Sequence, residues 1–356
     1  MRVGFLYVDA LAGGGYPRDV RWLAGHLAEL GVSVSLLADH GPRIDALDGV
    51  EVAPPESLGS LGSTLDVLHI WGIFLPRQFW LARRLIGKAR PVVSPMGHLI
   101  RSHIRRRAWK KVPYLLAMRP LFSRWRTVAH LFSSAEVEGA RRYLHPVAEF
   151  EATLGVFPPP PDVARTPGHR GDYVLFLGRN DVYQKGLDLL LLSYAEAAER
   201  GLKLPLRIAG QPSGNSAAFL RDSIARLDVA KRVELLGEVS EADKWRLLTG
   251  ARCLAFLSRW DGPPRPIREA IAVGTPVVVT PGTNLGGPVS ESGAGEAVGF
   301  RAADVAGALL RAADDPTMDA WVEGAIRLRD RLSWSKVARS YLDGYEASLR
   351  AGRLPP

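Results

Sequence analysis

Two doubly wound α/β domains, facing each other across a cleft, are what this 356-residue sequence predicts. Three observations carry the prediction. Short apolar runs alternate with segments of helical period in both halves, the pattern of a parallel sheet with helices on each face. Glycines follow several of these runs, where the chain must turn into a helix. Four consecutive prolines, Pro158 to Pro161, interrupt the alternation near the middle, and such a run neither continues a helix nor sits in a central strand.

The first run, residues 3–8 (VGFLYV), leads into Gly13, Gly14 and Gly15. Val20, Leu23, Leu27 and Leu30 then recur at helical spacing, and Gly31 stops that helix. Residues 32–38 (VSVSLLA) supply the next strand and complete a first Rossmann-like unit. Strands at 65–70, 91–95 and 128–133 follow, with helices at about 76–87, within 104–125 and at 134–144. Ligands of such sheets bind at the carboxyl ends of strands. His69, Trp71 and Gly72 lie at one such end, and Met96, Gly97 and His98 at another. The spacing argues against a dinucleotide fingerprint, because a G-x-G-x-x-G pattern begun at Gly13 places Arg18 where the third glycine belongs.

The expected division is an N-terminal domain over 1–155, a proline-rich linker over 156–172 and a C-terminal domain over 173–332. In the last, strand YVLFLG precedes Arg179, Lys185-Gly186 and a helix to about Arg200. Strand LPLRIAG ends at Gly210, strand VELLG at Gly237, and CLAFLS supplies a fourth strand. Helices are expected at 215–227, 240–250, 302–314 and 318–331. A final helix from about 333 carries Trp334, Val337, Tyr341 and Tyr345 near one face and is expected to pack back toward the N-terminal domain.

Composition narrows the function. Hydrophobic content of 47% and charged content of 23% are those of a globular protein. One cysteine, Cys253 in an apolar run, excludes a disulfide framework and fits a reducing cytoplasm. No run of about 18 apolar residues occurs, and the N-terminus reads as a first strand rather than a leader. The net charge of +9 is local: no acidic residue lies between Asp66 and Glu136, a stretch holding fourteen Lys and Arg. The rest of the chain has more acids than bases.

The chemistry concentrates in SRWDGPPRPIREAIAVGTPVVVTPGTNLGG, residues 258–287. Asp261 lies in a loop before a helix, and Glu269 about one turn inside it, since Pro266 suits a first helical turn. A helix start beside two carboxylates suits a polyhydroxylated, phosphorylated ligand; alone, Asp261 could equally cap the helix and Glu269 could be a surface charge. Arg179 and Lys185, six apart around a strand-to-helix loop, add two cations able to clamp a diphosphate. At Gly237-Glu238-Val239 the backbone after a strand can pair with a flat base.

This ordered set resembles the retaining glycosyltransferases of the GT-B fold, specifically their fourth sequence family, the glycosyl transferases group 1. The resemblance runs through the N-terminal glycine loop, the SPMG turn, FLGR…KG, the IAG and LGEVS strand ends and EAIAVGTPVVVT. It implies a metal-independent transferase with no cofactor, whose co-substrate is a nucleotide-diphosphate sugar. It implies that Glu269 holds ribose hydroxyls, that Asp261 meets the transferred sugar and that Arg179 and Lys185 neutralise the departing diphosphate. Thr283, Asn284 and Leu285 match the loop meeting sugar and phosphates, and Gly14 and Gly15 the loop closing from the other domain. Gly210, Gly237 and Val239 fall at donor-side strand ends, and His98 approximates a histidine near the anomeric centre. The acceptor implied is a glycan, a lipid-linked saccharide or a secondary metabolite. Two departures stand out: Asp261 replaces a usual Glu, and Gly-Pro-Pro-Arg follows it.

Residues 101–126 (RSHIRRRAWKKVPYLLAMRPLFSRWR) interleave bases with aromatics. Arg101, Arg105, Arg106, Arg107, Lys110 and Lys111, with His69 and Trp71, mark an acceptor side or a peripheral contact with an anionic membrane. The alternative is a solvated helix pair; nucleic acid is disfavoured because no recognised motif accompanies the charge. A sugar-nucleotide epimerase and a non-catalytic basic binding protein are the competing functions. The first needs acid/base carboxylates that are not found, and the second leaves the Arg179, Lys185, Asp261, Glu269 series unexplained.

Overall fold

Thirteen short strands among the described residues form two all-parallel sheets. The computed structural model describes residues 1–12, 15–39, 49–61, 64–85, 87–163 and 171–351. The chain divides into two units, Met1–Gly155 with Leu332–Pro356, and Val156–Arg331.

The first unit holds β1 (Arg2–Leu6), β2 (Ser33–Leu37), β3 (Val50–Ala53), β4 (Val67–Trp71), β5 (Arg90–Ser94), β6 (Val128–Leu131) and β7 (Ala148–Glu151). Their order is β3-β2-β1-β4-β5-β6-β7. The second holds β8 (Val174–Leu177), β9 (Leu206–Ala209), β10 (Val233–Gly237), β11 (Cys253–Phe256), β12 (Val277–Val279) and β13 (Gly295–Ala297), ordered β10-β9-β8-β11-β12-β13. Each sheet is a doubly wound, Rossmann-like sheet whose strand order reverses once, at β1/β4 and at β8/β11. Beyond the carboxyl ends of those strand pairs the loops diverge and leave a crevice.

Apolar runs became central strands because burial on both faces rewards them: β4, β8 and β11 are buried throughout. Three edge strands, β3, β7 and β13, lie outside the expected runs. They are three or four residues long, carry Glu51, Glu149, Glu151 or Glu296, and are only partly buried. Pairing with β2, β6 and β12 defines them rather than any periodicity of their own.

The closing helix, Trp334–Arg350, belongs to the first unit. Trp334 sits 6.1 Å from the Trp22 ring and 6.0 Å from His26 on the helix Gly15–Glu29. Tyr341 and Tyr345 enter the core beside β4 and β6, and burying side chains of this size contributes roughly 1.5–3 kcal/mol each. In the basic segment, Arg107 in left-handed conformation (φ 60°) separates the helix Arg101–Arg105 from Ala108–Arg124. No described helix is long and apolar enough to cross a membrane.

Candidate functional site

The crevice end of the second sheet is built on two close backbone approaches. Gly210, just after β9, has φ +146°, and a Cβ there would lie 1.8 Å from the Gly178 carbonyl oxygen. Its N–H donates to the Gly237 carbonyl at 2.6 Å, so the glycines ending β9 and β10 are tied together. Gly186 has φ +70°, and a Cβ there would lie 2.2 Å from the Leu257 carbonyl oxygen. Only glycine allows the turn after Lys185 to press against the end of β11.

That contact brings Lys185 to Asp261. Asp181 caps the short helix Val182–Lys185, accepting from the Gln184 N–H at 3.0 Å. The cap fixes the direction in which Lys185 leaves the loop, and its Nζ forms an ion pair with Asp261 Oδ2. The Asp261 backbone N–H donates to the Gly282 carbonyl at 2.7 Å, and Asn284 Nδ2 donates to the Asp261 carbonyl at 2.5 Å. The carboxylate is therefore held by its backbone on one side and by an ammonium on the other. Burial pushes the Asp261 carboxyl above its ordinary range, and Lys185, Arg179 and the Ser258 hydroxyl oppose the shift. Arg179 remains exposed, with Nη2 3.4 Å from Gln184 Oε1. Two cations thus flank one half-buried carboxylate at the β8/β11 switch point.

Glu269 lies on the helix Arg265–Ala272, which begins at Arg265 with Pro266 in its first turn. It is 4% exposed. Its Oε1 accepts from Lys244 Nζ at 2.8 Å and from Arg265 Nη2 at 3.1 Å, so it is neither a free surface charge nor an isolated buried one. Lys244 comes from the helix Glu241–Gly250, capped by Ser240. Nothing local in the sequence marked it, because its partner is in another helix. The same holds for Ser258, which donates to the Gln184 carbonyl at 2.9 Å.

The loop after β12 is held from within. Thr283 and Leu285 are fully buried. The Thr283 hydroxyl donates to the Thr280 carbonyl at 2.9 Å. These side chains pack inside the loop, and the backbone turns left-handed at Asn284 (φ 58°). Val239 is half-buried beyond β10.

In the first unit, Gly14 lies outside the described residues and Gly15 starts the first helix. Beside it, the Tyr16 hydroxyl donates to the Met96 carbonyl at 3.5 Å, placing the helix start next to the turn after β5. Met96 (φ 61°) and Gly97 (φ 81°) make that turn left-handed. Buried Glu136, which sequence reasoning missed, holds it by accepting from the Gly97 N–H at 2.8 Å. Burial raises its carboxyl to about 7 against the lowering effect of these backbone donors. His98 follows, half-buried, its imidazole lowered to about 3 by burial and by neighbouring His103 and Lys111.

The expectation for His69 and Trp71 is corrected. Both are fully buried, stacked 4.3 Å apart, with His69 Nδ1 2.7 Å from the Tyr345 hydroxyl. The closing helix covers them, which removes them from an acceptor or membrane surface. Arg101, Arg105, Arg106, Arg107 and Lys110 are exposed, while Lys111 folds onto His103. Among the described residues no group of three or more His, Cys, Asp or Glu is placed to hold a metal ion.

Residues 165–327, nearly all of the second unit, match the family described as glycosyl transferases group 1. The match supports a glycosyltransferase. No curated protein sequence matches the chain. Solved structures do, at low identity. Sucrose-phosphate synthase from Thermosynechococcus elongatus aligns at TM-score 0.72 and 16% identity, over 99% of this chain and 100% of that one. Anabaena HepE in complex with UDP aligns at TM-score 0.72 and 16% identity, over 98% and 100%. WaaG, a glycosyltransferase of lipopolysaccharide biosynthesis, aligns at 0.62 and 16%, over 97% and 99%. At these identities the likeness shows the fold, the two-domain GT-B architecture. The Lys185–Asp261 pair, Arg179 and the Glu269 cluster all lie inside the group 1 segment.

Proposed function

We propose that the protein is a retaining, metal-independent glycosyltransferase using a nucleotide-diphosphate sugar. The observation that carries the reading is the Lys185–Asp261 ion pair beside Arg179 at a sheet switch point, inside the group 1 segment. A diphosphate brings negative charge to a place where two cations share one carboxylate. That HepE has been solved with UDP and with UDP-glucose supports such a donor.

In the proposed reaction the bond from the sugar's anomeric carbon to the phosphate oxygen breaks. The acceptor hydroxyl oxygen bonds to that carbon on the same face. The acceptor proton passes to the departing phosphate oxygen, and nucleoside diphosphate leaves. Lys185 and Arg179 stabilise charge growing on that phosphate, which in such sites is usually the largest single effect. Asp261 keeps the Lys185 ammonium in place until the donor arrives and then meets the sugar. Glu269, oriented by Lys244 and Arg265, accepts from ribose hydroxyls, with the strand ends at Gly210, Gly237 and Val239 beside the base. His98 is proposed as the histidine that the family resemblance associates with the anomeric centre.

The acceptor is a hydroxyl of a glycan, a lipid-linked saccharide or a secondary metabolite. The proposed setting is cytoplasmic, with the exposed face of Ala108–Arg124 toward an anionic membrane surface. The test is slow donor hydrolysis by purified protein across a panel of nucleotide sugars, with thermal shifts by the matching diphosphates. A protein that cleaves none and is stabilised by no nucleoside diphosphate is not this enzyme.

A further inference from the structure

The first unit contains an ammonium group without a counter-ion in a place where water cannot fully replace one. Lys111, on the helix Ala108–Arg124, turns inward and donates to the His103 carbonyl at 2.6 Å, with Nζ 3.2 Å from His103 Nε2. Its other neighbour is the ring of Phe74, at 5.8 Å. Among the described residues no carboxylate contacts it, and none exists anywhere between Asp66 and Glu136. Glu136, which follows that stretch in sequence, is committed to the backbone N–H groups of Gly97 and Phe132.

The surroundings reinforce the need for an anion. The His98 ring stacks 4.8 Å from that of His103, and His98 Nδ1 is buried with no hydrogen-bond partner. His103 Nδ1 donates to the His98 carbonyl at 2.9 Å, which leaves Nε2 as the ring's lone-pair nitrogen beside Lys111. Burial, Arg106 and Arg107 together lower Lys111 to about 8, while His98 and His103 stay neutral near pH 7. Native folds rarely keep a partly desolvated charge among like charges without a partner. The cluster lies just past the carboxyl end of β5, where a doubly wound sheet binds ligands.

We propose that Lys111, with His103 and His98, forms an oxyanion subsite that takes the phosphate or carboxylate group of an acidic acceptor. The identity of the molecule carrying the acid rests on the transferase reading; the binding of the oxyanion does not. An arriving anion pairs with the ammonium and offsets the repulsion from Arg106 and Arg107, so it binds the protonated form of Lys111.

The test uses the full chain with 13C-labelled histidine and inorganic phosphate, sulfate or acetate as probes, in a Lys185→Ala background that removes the diphosphate site of the second unit. Phosphate or acetate is expected to move the His98 and His103 C2–H resonances with a Kd of about 10 mM, the scale of one or two charge-assisted hydrogen bonds. Sulfate, which stays a dianion, is expected to bind roughly tenfold more weakly at pH 9 than at pH 7 as Lys111 loses its proton. Lys111→Gln should abolish the response and Lys111→Arg should retain it. No movement with any probe, or an undiminished response in Lys111→Gln, overturns the subsite. Because no turnover is measured, failure here is distinct from failure of the transferase reading. A phosphate-only response assigns a phosphorylated acceptor, and a response shared with acetate extends the subsite to carboxylates.

Discussion

Lys244 and Glu269, twenty-five residues apart in sequence, meet at 2.8 Å between two helices of the second unit, and Arg265 shares the same carboxylate oxygen. Removing the carboxylate leaves two poorly hydrated cations facing each other. Glu269→Ala is therefore expected to destabilise the protein by about 3 kcal/mol, the usual cost of breaking such a pair from one side. Urea unfolding measures it. A Glu269→Leu, Lys244→Met double variant should recover much of that loss, since a packed apolar pair carries no unpaired charge. A loss below about 0.5 kcal/mol, the range of exposed pairs, would show that the cluster is solvated.

The two cations at the switch point should act on different quantities from the glutamate. Lys185→Ala is expected to lower donor turnover about 100-fold while changing donor KM little, because its charge is needed most as the phosphate departs. Glu269→Gln should instead raise donor KM. Steady-state donor hydrolysis separates the two effects. Equal, small effects from both substitutions would remove the site assignment.

Acidification should destabilise the first unit. His130 donates through Nε2 to the Ala152 carbonyl at 2.8 Å and accepts through Nδ1 from Ser94, so it is locked neutral. Burial lowers it from 6.5 to about 3, His98 falls to about 3, and buried His69 is lowered too. For a histidine with a lowered folded value, stability is full above 6.5 and is lost as pH falls toward the folded value. Each such group costs about 1.4 kcal/mol per pH unit within that window. Glu136 works oppositely: its raised value, about 7, means its stabilising effect is lost as pH rises from 4.5 to 7. Four histidines, with His103 lowered to about 4 as the fourth, against Glu136 and the more weakly raised Glu151 give a net fall in Tm between pH 6.5 and 5, readable by circular dichroism. His130→Asn should flatten the slope.

Gly210→Ala tests the geometry of the strand ends. A methyl group there meets the Gly178 carbonyl oxygen at 1.8 Å, and the φ of +146° strains any side chain. The Gly178 oxygen and its carbonyl carbon, 2.6 Å away, are both backbone atoms, so the backbone itself must move. A loss of about 3 kcal/mol or more is expected, with the Gly210–Gly237 hydrogen bond weakened. Thermal unfolding checks the first and amide exchange at Gly210 the second.

The central strands were legible because burial on both faces imposes one composition, and VGFLYV, YVLFLG and CLAFLS all show it. Among the described residues the edge strand VELLG was legible too, but the other edges were not, since Val50–Ala53 and Ala148–Glu151 gain their form from a neighbour. Arg179, Lys185, Asp261 and Glu269 were legible as spaced charges next to turns. What closes around them was not: Lys244, Ser258 and Glu136 act through contacts long-range in sequence. His69 and Trp71 misled because a strand end can open into a crevice or lie under a helix. Only the placement of Trp334–Arg350 decides between the two, and nothing near His69 records it.

That placement has a consequence for how the protein comes into being. The first unit takes its last helix from the far end of the chain, after the second unit has been made. During synthesis Val156–Arg331 emerges as one continuous stretch, whereas the half made first waits, with His69 and Trp71 uncovered, until Trp334–Arg350 has left the ribosome. Removing Trp334–Arg350 would therefore harm the unit built on β1 to β7 more than Val156–Arg331, although the helix lies farther from that unit in sequence.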